Sequence, residues 1–242
     1  MKNQYFGDIR DLFKYDLIQR ILKEIGSLQR FTFIPMLTKY DPKRGDGNKR
    51  DFNSAKKCSR PGTNNKKLME FLEKYEEIDR DKRDFTEIGE YFRSEGIEKI
   101  VIYKGHEYFG HTTRGEYFKN IAGELLHKSL VFLDPDNGLQ IKNSTEKHLL
   151  YREIKEYLYD RMDEGSILMI YQQFPMEKHM EYLCRRASDL KKLTENLPIY
   201  TSDNEIIFFL LTKDDELRNQ LERTISRYKR DYQKRIVIGN VN

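Results

Sequence analysis

The chain has 242 residues, 35% of them charged, with 44 Lys and Arg against 40 Asp and Glu and a formal net charge of +4. Mean hydropathy is −0.82, yet the apolar residues fall in short dense runs, which excludes a disordered chain and suffices for a sizeable core. No apolar run approaches the roughly 20 residues that span a bilayer, and no N-terminal stretch joins a charged start to an apolar core.

Cys58 and Cys184 lie far apart with no CxxC spacing. The expectation is a cytoplasmic protein with reduced thiols, no signal peptide and no membrane partner. The mildly basic balance permits a nucleic-acid partner without requiring one.

In chain order, Leu12, Phe13, Leu17, Ile18, Ile21, Leu22 and Ile25 recur at three- and four-residue steps and predict a helix over 9–25. FTFIPML (31–37) reads as a strand that Pro35 brings to an end. Residues 38–66 are rich in Lys, Asn, Gly and Asp and read as a long polar loop, functional or mobile. Helices are predicted over 67–78 and 84–95, a strand over 97–105, a helix near 114–127 and a strand over 129–134. A helix over 146–163, a strand over 166–174 and a helix over 176–195 follow. Residues 199–212 read as strand, turn at Ser202-Asp203-Asn204, and strongly apolar strand, before a charged helix over 214–232.

Strands that alternate with helices, several of them continuously apolar, predict a parallel sheet covered on both faces. The fold class is therefore α/β, a three-layer sandwich, with an antiparallel strand from the terminal hairpin. No repeat and no linker interrupts the pattern, so residues 1–242 are expected to form one domain.

SLVFLDPDNGL (129–139) is the most informative stretch. A greasy run ends abruptly in Asp134, Pro135, Asp136, Asn137 and Gly138. In open α/β sheets ligands bind beyond the carboxyl ends of the strands, which is where Asp134 falls. These residue types equally suit a plain polar turn, and composition leaves both readings open.

Strand followed by Asp-Pro-Pro-Tyr is the catalytic motif of methyltransferases that act on nucleobase amino groups, and DPDN (134–137) resembles it. YFGDIRDLFKYDLIQRIL (5–22), through Gly7, Asp11, Lys14 and Tyr15, resembles the GNxxDxxKH opening of the bacterial large-subunit ribosomal RNA adenine methyltransferases of the RlmJ type. It is also similar to uncharacterised bacterial proteins that begin YFGD..D..KY and carry LDPDNGL. The resemblance implies a class I, Rossmann-like methyltransferase using S-adenosyl-L-methionine, with no metal, on an exocyclic amine of RNA or DNA. It implies that Asp134 and the Pro135 carbonyl accept hydrogen bonds from the amine, helped by Asn137, with the base flipped into the site. Lys14, Tyr15, Gly45, Gly47 and His106 are placed on the cofactor side, and Asp136, Tyr171 and Phe174 on the substrate side.

The sequence departs from that pattern twice. Asp136 and Asn137 replace the second proline and the stacking tyrosine, a platform worth about 1–3 kcal/mol, which Tyr171 or Phe174 would have to supply. After the first strand, LTKYDPKRGDGNKRDF (37–52) offers Gly45 and Gly47 flanked by Asp41 and Asp46, but no GxGxG.

Two other classes stay open. His106 and His111, five apart, could bind a metal together with Asp134 or Asp136, since imidazole and carboxylate suit several divalent ions, and Asp134 with Asp136 could hold magnesium in a hydrolase or nuclease. A methyltransferase-like fold that only binds partners is the third class. The basic runs KRGDGNKRDF, KKCSR and RYKRDYQKR offer phosphate contacts. No P-loop and no GxSxG occurs.

Overall fold

The structure, a computed structural model, describes residues 1–40, 49–232 and 237–239. In chain order the strands are β1 (Arg30–Pro35), β2 (Ile100–Ile102), β3 (Ser129–Asp134), β4 (Gly138–Leu139), β5 (His148–Leu149), β6 (Ile167–Gln173), β7 (Ile199–Ser202), β8 (Ile206–Leu211) and β9 (Val237–Gly239). The main sheet has the order β2-β1-β3-β6-β8-β7-β9, while β4 and β5 form a small parallel ladder of their own. β1, β2, β3 and β6 are mutually parallel, and β8 enters antiparallel between β6 and β7. Strand order reverses at β1, with β2 on one side and β3 on the other, and the crevice of such a reversal lies beyond the carboxyl ends of β1 and β3.

Alternate residues of each central strand feed two separate cores, as a doubly covered sheet demands. Phe31, Phe33, Leu130, Phe132, Met169 and Phe208 face one core. Helices α1 (Ile9–Glu24), α3 (Lys66–Glu73), α4 (Ile88–Ser94) and α7 (Asp215–Asp231) close it. Ile34, Val131, Leu133, Ile170, Ile207 and Phe209 face the other, under α5 (Arg114–Lys119), a π-helical segment (Glu153–Tyr159) and α6 (His179–Thr194). The fold is thus a three-layer α/β sandwich of Rossmann-like type with a mostly parallel sheet.

Several boundaries differ from the sequence reading. The polar stretch 38–66 contains a short helix, α2 (Phe52–Lys57), capped by the Asp51 carboxylate on the Ser54 amide. The strand expected over 97–105 shrinks to three residues at the sheet edge, where it pairs with β1 alone. The helix expected near 114–127 splits into α5 and a 3-10 turn (Gly123–Leu126). The helix expected from 146 begins only at 151, because His148 and Leu149 pair with Gly138 and Leu139. β9 is an additional strand, antiparallel to β7.

Candidate active site

Residues 130–133 are fully buried, so β3 delivers Asp134 to the sheet's carboxyl edge, in register with Pro35 of β1. Pro135 has no N–H with which to extend the ladder. The chain then turns away at Gly138, whose φ is +87°. A Cβ there would lie 2.3 Å from Oε1 of Gln172, and that same oxygen accepts a hydrogen bond from the Leu139 amide at 2.7 Å. The Asn137 amide donates to the Lys147 carbonyl at 2.9 Å. The turn is therefore fastened from β6 on one side and from the 145–149 loop on the other.

α1 brings the opposite wall. Asp8 caps the helix, its carboxylate accepting from the Arg10 amide and from the Arg10 guanidinium. Asp11 and Lys14, one turn apart, point the same way. Lys14 Nζ donates to Asp134 Oδ2 at 2.8 Å and lies 2.9 Å from Asp11 Oδ1. All three side chains are buried. Burial pulls the Lys14 ammonium down, but Asp11 and Asp134 outweigh it and hold its pKa well above the lysine range. Burial raises Asp11 despite Lys14. The ammonium also stands 5.0 Å from the Tyr171 ring centroid.

Asp136 faces a different set. Its Oδ2 accepts from the Thr38 hydroxyl at 3.1 Å, and its Oδ1 lies 3.6 Å from the Met1 ammonium. Burial pushes its carboxyl up, but that ammonium, Lys2, Thr38 and Lys147 together bring it below the usual carboxylate range. Asp134, Pro135, Asp136, Lys14 and Tyr171 thus line one cleft, together with Met1, Lys2, Asp8, Arg10 and Gln173. The cleft measures about 60 Å³.

Other expected site residues lie elsewhere. Tyr15 is fully buried in the α1 core against Phe6 and Phe92, and no hydrogen-bond partner reaches its hydroxyl. Phe174 stacks on His179 at 4.0 Å between centroids, also touches Tyr182, and packs on the α6 side of the sheet. Asn137 is exposed and does not line the cleft. His106 is 76% exposed and sits 3.8 Å from Asp84. Gly45 and Gly47, with Asp41 and Asp46, lie outside the described residues.

Sequence reasoning passed over Asp8, Arg10 and Thr38. The signal for Asp8 and Arg10 was present in the capped opening of α1, where Asp8 precedes Asp11 and Lys14. No local pattern marked Thr38.

Among the described residues no group of three or more His, Cys, Asp or Glu side chains is arranged to hold a metal ion. Asp134 and Asp136 turn to different cations rather than converging on one point.

No family model matches the chain, and no curated protein matches it. Among solved structures, the crystal structure of protein LPL1258 from Legionella pneumophila, described under the family model DUF519, aligns over 97% of each chain. Its TM-score is 0.48 and its identity 9%. The fold stated above rests on this chain's own strand order.

Proposed function

We propose that this chain transfers a methyl group from S-adenosyl-L-methionine to an exocyclic amine of a nucleic acid base. The observation that carries this reading is the position of Asp134-Pro135. They end a central parallel strand at the strand-order reversal and share a cleft with Lys14 and Tyr171. The resemblance of DPDN and of the α1 opening to nucleobase amino-methyltransferases points the same way, as does the antiparallel β8 set between β6 and β7.

In this reading Asp134 acts as a hydrogen-bond acceptor for the amine N–H, aligning the nitrogen lone pair. A carboxylate has acceptor capacity beyond the one bond taken by Lys14. Lys14 fixes the carboxylate's orientation by donating to Oδ2, and the remaining lone pairs are left to accept from the amine. Pro135 presents its carbonyl from the same turn, and Tyr171 supplies an aromatic wall. Lys14 is therefore assigned to positioning Asp134 rather than to the cofactor.

The charges around the cleft fit the amino-acid end of adenosylmethionine: Arg10 suits its carboxylate, and Asp8 and Asp11 its ammonium. The cofactor supplies an electrophilic methyl group when bound. The cleft's 60 Å³ is small beside the roughly 300–1,000 Å³ of ligand pockets. Admitting the nucleoside thus requires Met1 and Lys2, which line the cleft, to give way.

Calorimetric titration with S-adenosylhomocysteine tests the reading, with micromolar binding expected. No heat at millimolar ligand would overturn it. The small cleft would then favour a methyltransferase-like fold that binds partners without chemistry.

A further inference from the structure

A groove of about 540 Å³ adjoins the Asp134 cleft, lined by Lys2, Lys39, Tyr40, Tyr108, His111 and Lys147 among others. We infer that this groove binds single-stranded nucleic acid, with bases stacked on Tyr108 and Tyr40 and phosphates on the lysines. It rests on the proposed function only for the reason a strand should lie there.

The groove is built from four chain segments, at Lys2, 38–40, 108–113 and 146–147, that meet only in the fold. The Phe109 amide donates to the Leu37 carbonyl at 2.7 Å, fastening the loop after β2 to the exit of β1. The Asn137 amide does the same for the Lys147 segment at 2.9 Å. The floor is the buried ring of Phe109, with Arg114 over it at 5.3 Å.

Tyrosines in this chain are otherwise packed away. Tyr40 is 46% and Tyr108 54% exposed, and they are the two exposed tyrosines among the described residues. Both line this groove. A lone exposed aromatic is ordinary; two beside three lysines and a single glutamate, Glu146, form the combination of stacking faces and positive charge that single strands require.

The groove also leads to the cleft. Lys2 lines both, and Thr38, on the groove wall, donates to Asp136 on the cleft wall at 3.1 Å. A strand held here would bring a neighbouring nucleotide to the edge where Asp134 stands. The mixed-charge cleft cannot itself hold the strand: it measures only about 60 Å³, and its four aspartates, Asp8, Asp11, Asp134 and Asp136, offset the positive charge of Lys2, Arg10 and Lys14 there.

The test is fluorescence anisotropy with a short labelled single-stranded RNA of mixed sequence, and its DNA counterpart, in the absence of cofactor. Tyr108→Ala should weaken binding about tenfold. Lys39→Gln combined with Lys147→Gln should reduce the slope of log K against log salt by about 1.4. These side chains are solvent-facing or at the groove wall, so the variants should fold, and circular dichroism checks it. Binding of both variants equal to that of the unaltered chain overturns the inference, as does no binding by the unaltered chain. Displacement of the RNA by polyglutamate with no effect of Tyr108→Ala also overturns it, making the groove a general polyanion or acidic-protein surface. Loss in the groove variants, in a protein that gives no heat with S-adenosylhomocysteine, upholds the groove while removing methyl transfer.

Discussion

Lys14 Nζ lies 2.8 Å from Asp134 Oδ2, a buried ion pair between residues 120 positions apart. It ties the first turns of α1 to the end of β3 across the crevice, and Asp11 shares the same ammonium at 2.9 Å. The group that fixes the candidate acceptor is therefore also a structural fastening.

Lys14→Met should cost about 3–5 kcal/mol of stability, the usual effect of stranding a buried charge. Two buried carboxylates, Asp11 and Asp134, are then left without their cation. Burial already raises the Asp11 carboxyl and Lys14 opposes that rise, so in the folded variant Asp11 should go higher still and the deficit should grow as pH climbs from about 5 to about 8. Urea unfolding at both pH values measures it. A deficit that shrinks with rising pH would contradict the assignment.

Asp134→Asn keeps the shape of the side chain but removes the charge and half of the acceptor capacity. Titration should show S-adenosylhomocysteine affinity largely retained, while methyl transfer to nucleic acid falls by about 10²-fold or more as the amine loses its alignment. Full turnover in this variant would end the assignment of Asp134.

Gly138→Ala meets two obstacles. The φ of +87° costs a residue with a Cβ about 1–2 kcal/mol, and the new Cβ would collide with the Gln172 amide. Thermal unfolding should show a clear loss. Adding Gln172→Ala should recover the part due to collision and leave the backbone part, so a double variant matching the unaltered protein would refute the strain argument.

His148 offers a pH test. The ring is buried, and its Nδ1 accepts from the Thr145 amide at 3.1 Å. Burial, with the guanidinium groups of Arg114 and Arg186, holds its pKa below the usual imidazole range. The unfolded chain then takes up the proton more readily than the folded one. Stability from this site should be complete above about pH 6.5 and decline as pH falls toward the folded value. Denaturation midpoints from about pH 7 to about pH 5 should drop more steeply for the unaltered protein than for His148→Gln.

Read as a linear string, the chain already determined the fold class. The runs at 31–37, 129–134 and 166–174 and the amphipathic stretch 9–25 carry periodicities that decide which residues turn inward. Asp134 at a strand's carboxyl end follows from the same pattern. Periodicity says that a residue is buried, however, not which partner it meets. Lys14 and Tyr15 are neighbours in sequence, yet 100° of helix rotation sends Lys14 to the cleft and Tyr15 into the core. Tyr171 lies within β6 while Phe174 follows its last residue, Gln173, and the two rings pack on opposite sides of the sheet. The π winding at 153–159 shares its apolar pattern with an ordinary helix and was invisible for that reason. The Lys14–Asp134 pair and the tyrosine groove depend on strand order, which places distant segments side by side only once the sheet has formed.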